Sequence, residues 1–209
     1  MDIPGLDIRP ARPDDRGPIA ALMYSAGPEL YDFLYKTDRV AATEFIASEF
    51  VSGRGFCGYR NLTVAVLEGE VVATGSFYDG RRHGALMRGS VLNALRFFKL
   101  REVVLLLLRS GHVDSIVTHP AKDELYLANF AVAPSMRGRG IGDAMVQYQL
   151  ARARAGGYRV FSLDVAVTNP RAEALYRRLG LHVVREKHFS GHRPGILVPD
   201  QRKMEMVLG

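Results

Sequence analysis

Arg137-Gly138-Arg139-Gly140-Ile141-Gly142 is the stretch of this sequence with the plainest chemical use. It falls between a strand-like and a helix-like run, where free backbone N–H groups and the positive end of a helix dipole attract phosphate and glycine lets a ligand approach closely. The spacing is not that of a dinucleotide site, because Asp143 stands where the third glycine would be, and no Lys-Ser or Lys-Thr follows as in a nucleotide P-loop. A structural turn and an anion cradle are the two readings of the glycines alone. Asp143 suits the first turn of a helix but would repel a phosphate that it faced, so it is expected to point outward. Further along, Asp164 is an acid inside a strand: alternation sets Phe161, Leu163, Val165 and Val167 on one face, with Ser162, Asp164 and Ala166 on the other. Its plain use is a carboxylate paired with an arginine or a backbone N–H. Tyr176 lies on an apolar helical stripe, which describes a core tyrosine whose hydroxyl seeks a partner, and Asn169 precedes Pro170 as a helix cap would. No metal site is expected, since His112 and His119 follow no ligand spacing and Cys57 is the one cysteine. His188 and His192 read as exposed loop histidines.

The elements that must position these residues follow from periodicity. A short strand at Ile8 leads into a helix that runs to about Ser25. Gly27-Pro28 breaks the chain, and residues 29–35 mix aromatics with acids before a helical segment from Val40 to Phe50. Two β-branched runs, Asn61–Leu67 and Val71–Tyr78, flank Glu68-Gly69-Glu70 as a hairpin. Residues 81–122 form a helix-like block with apolar surface at Val91, Leu92, Leu95, Phe98 and Val103–Leu108. Then come a strand over Glu124–Val132, a helix from Ile141 to Ala155, a strand over Tyr158–Val167, a helix capped by Asn169 and ended at Gly180, and strands over His182–Lys187 and Lys203–Leu208. The strand–helix–strand order over 124–167 implies parallel pairing with a right-handed crossover, in a sheet whose first half is antiparallel. The fold class is α/β with a mixed, mostly antiparallel sheet of about six to seven strands. Residues 1–209 read as a single domain carrying a helical insertion at about 81–122.

Composition supports a folded, water-compatible chain. Of 209 residues, 47% are hydrophobic and 24% charged, which excludes disordered and collagen-like classes. The longest apolar run, Val103–Leu108, is far shorter than the ~20 residues that cross a bilayer, so no transmembrane segment is expected. Met1-Asp2-Ile3-Pro4-Gly5 lacks the basic and apolar regions of a signal peptide, and a lone cysteine excludes an internal disulfide, so the cytoplasm is the expected compartment. Twenty-eight basic residues against 22 acidic ones leave +6, which suggests an anionic partner. The basic residues are scattered, so a small polyphosphate is favoured over nucleic acid.

With these elements in place, the sequence resembles the GNAT superfamily of acetyl-CoA-dependent N-acetyltransferases. That family's signature is Arg or Gln, two residues, Gly, one residue, then Gly or Ala, and Arg137, Gly140 and Gly142 match it. Asn129-Phe130-Ala131-Val132-Ala133-Pro134 is similar to the family's fourth strand and its exit, and Asn169–Gly180 to its late helix. The resemblance is strongest over 124–187, and block 81–122 lies outside the usual pattern. It implies acetyl-CoA as co-substrate, with its pyrophosphate on Gly138, Arg139, Gly140, Ile141, Gly142 and Asp143, and Arg137 adding positive charge. It implies that the fourth and fifth strands run parallel, splay apart, and hold the pantetheine arm on the backbone of Phe130, Ala131 and Val132, with Asn169 as a further contact. The backbone N–H of Val132 would polarise the thioester carbonyl.

Acetyl transfer to an amine needs a neutral nucleophile, and an alkylamine of pKa ~10.4 is about one part per thousand neutral near pH 7.4. A lysine-like acceptor therefore needs a base. By resemblance Asp164 takes the place of a glutamate that serves as base in some relatives, with Glu124 or a water relay as rivals. Tyr176 by resemblance protonates or hydrogen-bonds the departing sulfur. The acceptor is expected to be a small-molecule or peptide amine, with acids near Glu29 and Asp32 suited to a cation. The insertion would serve as a lid, a homodimer surface or a peripheral membrane contact, in that order. The first reading is an N-acetyltransferase that works by direct attack in a ternary complex; the second is a non-catalytic CoA-binding regulatory module; the third, a nucleic-acid adaptor, predicts salt-sensitive binding independent of coenzyme A.

Overall fold

The computed structural model describes residues 3–38, 40–192 and 194–209. Met1 and Asp2, the start of the segment read as lacking a signal peptide, lie outside the described residues. Among the described residues seven strands form one sheet: β1 (Leu6–Pro10), β2 (Leu62–Leu67), β3 (Glu70–Tyr78), β4 (Glu124–Val132), β5 (Val160–Ala166), β6 (His182–Lys187) and β7 (Gln201–Val207), in the order β1-β2-β3-β4-β5-β7-β6. The helices are α1 (Arg16–Ser25), α2 (Pro28–Tyr35), α3 (Ala42–Ser52), α4 (Gly80–Phe97), α5 (Leu100–Val113), α6 (Ile141–Ala155) and α7 (Pro170–Arg178).

The β2–β3 hairpin turns on two residues, Glu68 (φ 52°) and Gly69 (φ 84°), between the paired Leu67 and Glu70. Both left-handed residues match the twist that a two-residue hairpin needs. β4 and β5 pair in parallel, joined by α6, and every other neighbouring pair is antiparallel. Phe161, Leu163 and Val165 of β5 pack with Met145 and Leu150 of α6 and Tyr176 of α7 in the larger core. On the opposite face, Ile19 and Met23 of α1 and Ile46 and Phe50 of α3 cover Leu62 and Val64 of β2.

Three expectations are corrected. Residues 28–35 are a helix, α2, because Pro28 at its first turn supplies a preset φ. The helix expected from Val40 begins at Ala42, since Val40 is engaged with Thr37 through Thr37 N–H to Val40 O at 3.1 Å. Block 81–122 is two helices and an irregular tail. They part at Phe98, which is buried and extended, while Glu102 caps α5 by accepting the Lys99 N–H at 2.9 Å. α4 packs on α3 and α5 on α2. The first contact is partly polar: Glu49 of α3, fully buried, accepts from Ser90 Oγ and from Asn93 Nδ2 (3.4 Å) of α4. Burial raises the Glu49 pKa.

Candidate active site

The glycine loop joins β4 to α6. Gly138 (φ 82°) and Gly140 (φ 80°) hold left-handed backbone, which would cost another residue ~1–2 kcal/mol. Gly140 is the N-cap of α6 and supplies no side-chain acceptor, which leaves the first-turn N–H groups without an acceptor among the described residues. Gly142 is set by packing instead: a Cβ there would lie 3.3 Å from Leu175 and 3.7 Å from Val132. Arg137 Nε donates to Val132 O at 3.1 Å, and the Arg171 guanidinium of α7 lies 3.8 Å from where a Gly138 Cβ would sit. Arg139 is exposed. Asp143 turns to Arg178 of α7, 3.8 Å away.

Beyond this loop the sheet opens. β4 and β5 pair from Glu124–Val160 to Leu127–Leu163 and no further, although β4 continues to Val132 and β5 to Ala166. The cause is in β4, where the register against β3 shifts between Thr74–Ala131 and Ser76–Ala128. Asn129 (φ 53°) sits in that bulge and bends the strand. Ala133 N–H donates to Val72 O at 2.8 Å, so alternation turns the N–H groups of Phe130 and Val132 the other way, toward the edge that β5 has left. Ala128, Asn129, Phe130 and Val132 are consequently half-buried in the central strand of a seven-stranded sheet.

Asp164 is the first residue of β5 beyond the last parallel pair. Its Oδ2 accepts from Thr118 N–H (2.6 Å), Tyr126 OH (2.8 Å) and Lys187 Nζ (3.2 Å), and its Oδ1 from Thr118 Oγ1 (3.0 Å). Lys187 also donates to Thr118 Oγ1 at 2.6 Å, and burial lowers its pKa against the pull of Asp164. Tyr126 is buried, and desolvation followed by the Asp164 charge raises its pKa well above the usual range. Glu124 stands at the paired end of the strands. Burial would raise its pKa, but Ser162, the Ala121 N–H (2.9 Å) and Lys203 (3.0 Å) outweigh burial and hold it low, which makes it a weaker base.

Tyr176 lies on the opposite face. It is buried among the residues of the larger core, its hydroxyl makes no hydrogen bond among the described residues, and burial raises its pKa. Asn169 caps α7 by accepting the Ala172 N–H at 3.1 Å. The arrangement thus places a carboxylate on one side of an opened seam, a neutral phenol on the other, and backbone donors between them.

Of the residues singled out in the sequence, loop 137–143 meets β4 and α7, since a Cβ at Gly142 would contact Leu175, Val132 and Phe130 and Asp143 faces Arg178. Asn169 and Tyr176 belong to the cap and body of α7, while Asp164 is held instead by Thr118, Tyr126 and Lys187 on the other face of the sheet. Thr118, Tyr126, Lys187 and Arg171 were missed. Tyr126 alone carried a signal, since it shares the alternation that puts Asp164 on its face. The acids near Glu29 are less free than a cation site requires, because Asp32 accepts from Tyr24 OH (3.1 Å) and Lys36 Nζ (3.4 Å). His188 and His192 both contact Asp200, at 2.8 and 3.2 Å.

Residues 28–181 match the family model described as Acetyltransferase (GNAT) family. No curated protein matches the chain. Among solved structures, it is similar to an N-acetyltransferase from Staphylococcus aureus Mu50 (TM-score 0.70, 20% identity, covering 96% of this chain and 100% of that one). It is also similar to one described only as an acetyltransferase (TM-score 0.68, 20% identity, 97% and 100%) and to a GCN5-related N-acetyltransferase from Kribbella flavida (TM-score 0.55, 20% identity, 98% and 98%). At these identities the structures speak for the fold.

Proposed function

The chain belongs to the acetyltransferase (GNAT) family, and from that premise we propose that it transfers an acetyl group from acetyl-CoA to a primary amine by direct attack in a ternary complex. The observation that carries this reading is the seam opened by the bulge at Asn129, with Asp164 on one face and Tyr176 on the other. Residues 1–209 then act as one domain, and we take the cytoplasm as its compartment.

The residues present fit the coenzyme. Left-handed Gly138 and Gly140 and the uncapped first turn of α6 offer amides to a pyrophosphate, while Arg137, Arg139 and Arg171 surround it with charge. Bound there, acetyl-CoA would supply a thioester carbonyl. The Phe130, Ala131 and Val132 backbone would bind the arm, and the Val132 N–H would donate to the carbonyl oxygen as negative charge grows on it. Asn169, at the start of α7, would be a further contact to the arm. Asp164, directly or through a water, would receive the proton that the amine loses as its nitrogen bonds to the acyl carbon. The carbon–sulfur bond then breaks, and Tyr176, kept protonated by its surroundings, would donate to the sulfur. Products are an amide and a free thiol. The acceptor class is a small-molecule or peptide amine.

A second reading, a coenzyme A-binding regulatory module without turnover, draws on the four donors that already occupy Asp164. Thiol release measured with a panel of amines separates the two. Calorimetry with acetyl-CoA tests their common premise: no heat at millimolar coenzyme removes both.

A further inference from the structure

The charge of this chain is unevenly placed. Residues 80–113, which form α4 and α5, hold seven of the 28 basic residues and one of the 22 acidic ones, so the whole excess of +6 resides there and the rest is balanced. The single acid, Glu102, is engaged in capping α5. Among the described residues Arg88, Arg96 and Arg101 make no ion pair, and Arg109 donates to the Lys36 carbonyl instead. The same helices carry an apolar face turned to solvent. In α5, Leu100, Val104, Leu107 and Leu108 recur at helical spacing and are 74%, 50%, 50% and 66% exposed, while Val103 and Val113 point inward. Leu92 and Leu95 extend exposed apolar surface along α4. A helix that is apolar on both sides is built to be covered on both.

A cavity of about 380 Å³ adjoins this surface, lined by Arg54, Arg60, Arg82, Arg88, Gly89 and Leu92. No carboxylate among the described residues lines it. Four arginines lining one pocket beside the exposed Leu92 suit a phosphate attached to an apolar body. A second copy of the chain is disfavoured as the occupant, because a two-fold contact sets the patch against itself and would bring the unpaired arginines together. Nucleic acid would leave the leucines in water.

We propose that α4 and α5 dock on an anionic phospholipid surface, with the leucine face entering the headgroup boundary, the arginines meeting lipid phosphate, and the Arg54–Arg88 cavity seating one headgroup. No helix among the described residues is long and apolar enough to cross a membrane, so the contact lies in the interfacial plane. The helix pair would then hold the acetyltransferase site at a membrane surface.

The test is flotation of the full chain with phosphatidylcholine vesicles containing phosphatidylglycerol or lacking it. The full chain should float with the anionic vesicles only, and less as salt rises. Replacing both Val104 and Leu108 by Glu should abolish flotation. Arg88→Ser and Arg101→Ser should each weaken it roughly fivefold, as expected for one basic residue near an anionic surface. Calorimetry with acetyl-CoA on the same variants establishes that they are folded, because none of these residues belongs to the acetyltransferase site. The proposal is overturned if the chain stays unbound with anionic vesicles, binds neutral ones equally, or keeps floating after the double substitution. It is also overturned if sedimentation shows a dimer that the double substitution splits while vesicle binding is absent.

Discussion

The two halves of this molecule solve opposite problems. Around β4, α6, β5 and α7, backbone groups are deliberately left open: a glycine-capped helix start, a bulge that strips a central strand of its partner, and amides aimed into the gap. Around α4 and α5 the backbone is closed into helices and the side chains are left open, with leucines in water and Arg88, Arg96 and Arg101 without an ion pair among the described residues. The first kind of opening binds by position and is intolerant of added atoms. The second binds by area and charge, and tolerates substitution until several residues change.

Gly142→Glu should show this contrast most strongly. Its side chain would meet Leu175 and Val132 and put an anion where phosphate is expected, so acetyl-CoA affinity should fall by roughly a hundredfold or more, the worth of one or two charge-assisted contacts. Retained affinity by calorimetry would mean that the loop is only a turn. Asp164→Asn should lower the rate near neutral pH by about a hundredfold and recover partly at high pH, where the amine is already neutral. A profile parallel to wild type would assign the carboxylate to structure. Tyr176→Phe should reduce kcat about tenfold with the KM for acetyl-CoA unchanged, and an unaltered kcat with chemistry rate-limiting would free Tyr176 from the reaction. By contrast, Leu108→Glu should leave kcat and KM at wild-type values and change stability by no more than ~0.5 kcal/mol, since the residue is exposed.

The smallest effect concerns the loop after β6. A hydrogen bond to Asp200 raises the pKa of His188, and that contact, joined by the Phe189 N–H and His192, holds Asp200 down to about 2. A raised histidine stabilises below its ordinary value of ~6.5 and loses that contribution as pH rises through the folded one; a depressed carboxylate stabilises above ~3.9 and loses it as pH falls toward its folded value. The tether should therefore be complete between about pH 4 and 6.5. An NMR titration in which Asp200→Asn leaves the His188 midpoint unmoved would remove it.

What could be read in advance divides along the same line. The glycine loop, the cap at Asn169 and the run from 141 to 155 are local: neighbouring residues decide φ, helix start and helix stop, so the sequence shows them directly. The pairing of Asp164 with Thr118, 46 positions earlier, and with Lys187, 23 later, is made by sheet order and the path of the chain after α5. No spacing announces it. The break at Phe98 was equally hidden, for it has neither Gly nor Pro and is stabilised by burial of one aromatic ring. α2 was obscured by its aromatic and acidic composition, which burial of Tyr31 overrides.

Glu49 has a consequence for any attempt to exchange parts among relatives. Its carboxylate belongs to one helix and its hydrogen-bond donors, Ser90 and Asn93, to another, with Gly55 kept bare above it. Grafting the helix pair onto a sister scaffold, or trimming it away, would strand an acid in a dry interior unless position 49 were rewritten in the same step. The pair is welded to its host by a three-residue lock, and a chimera should carry the lock and key together.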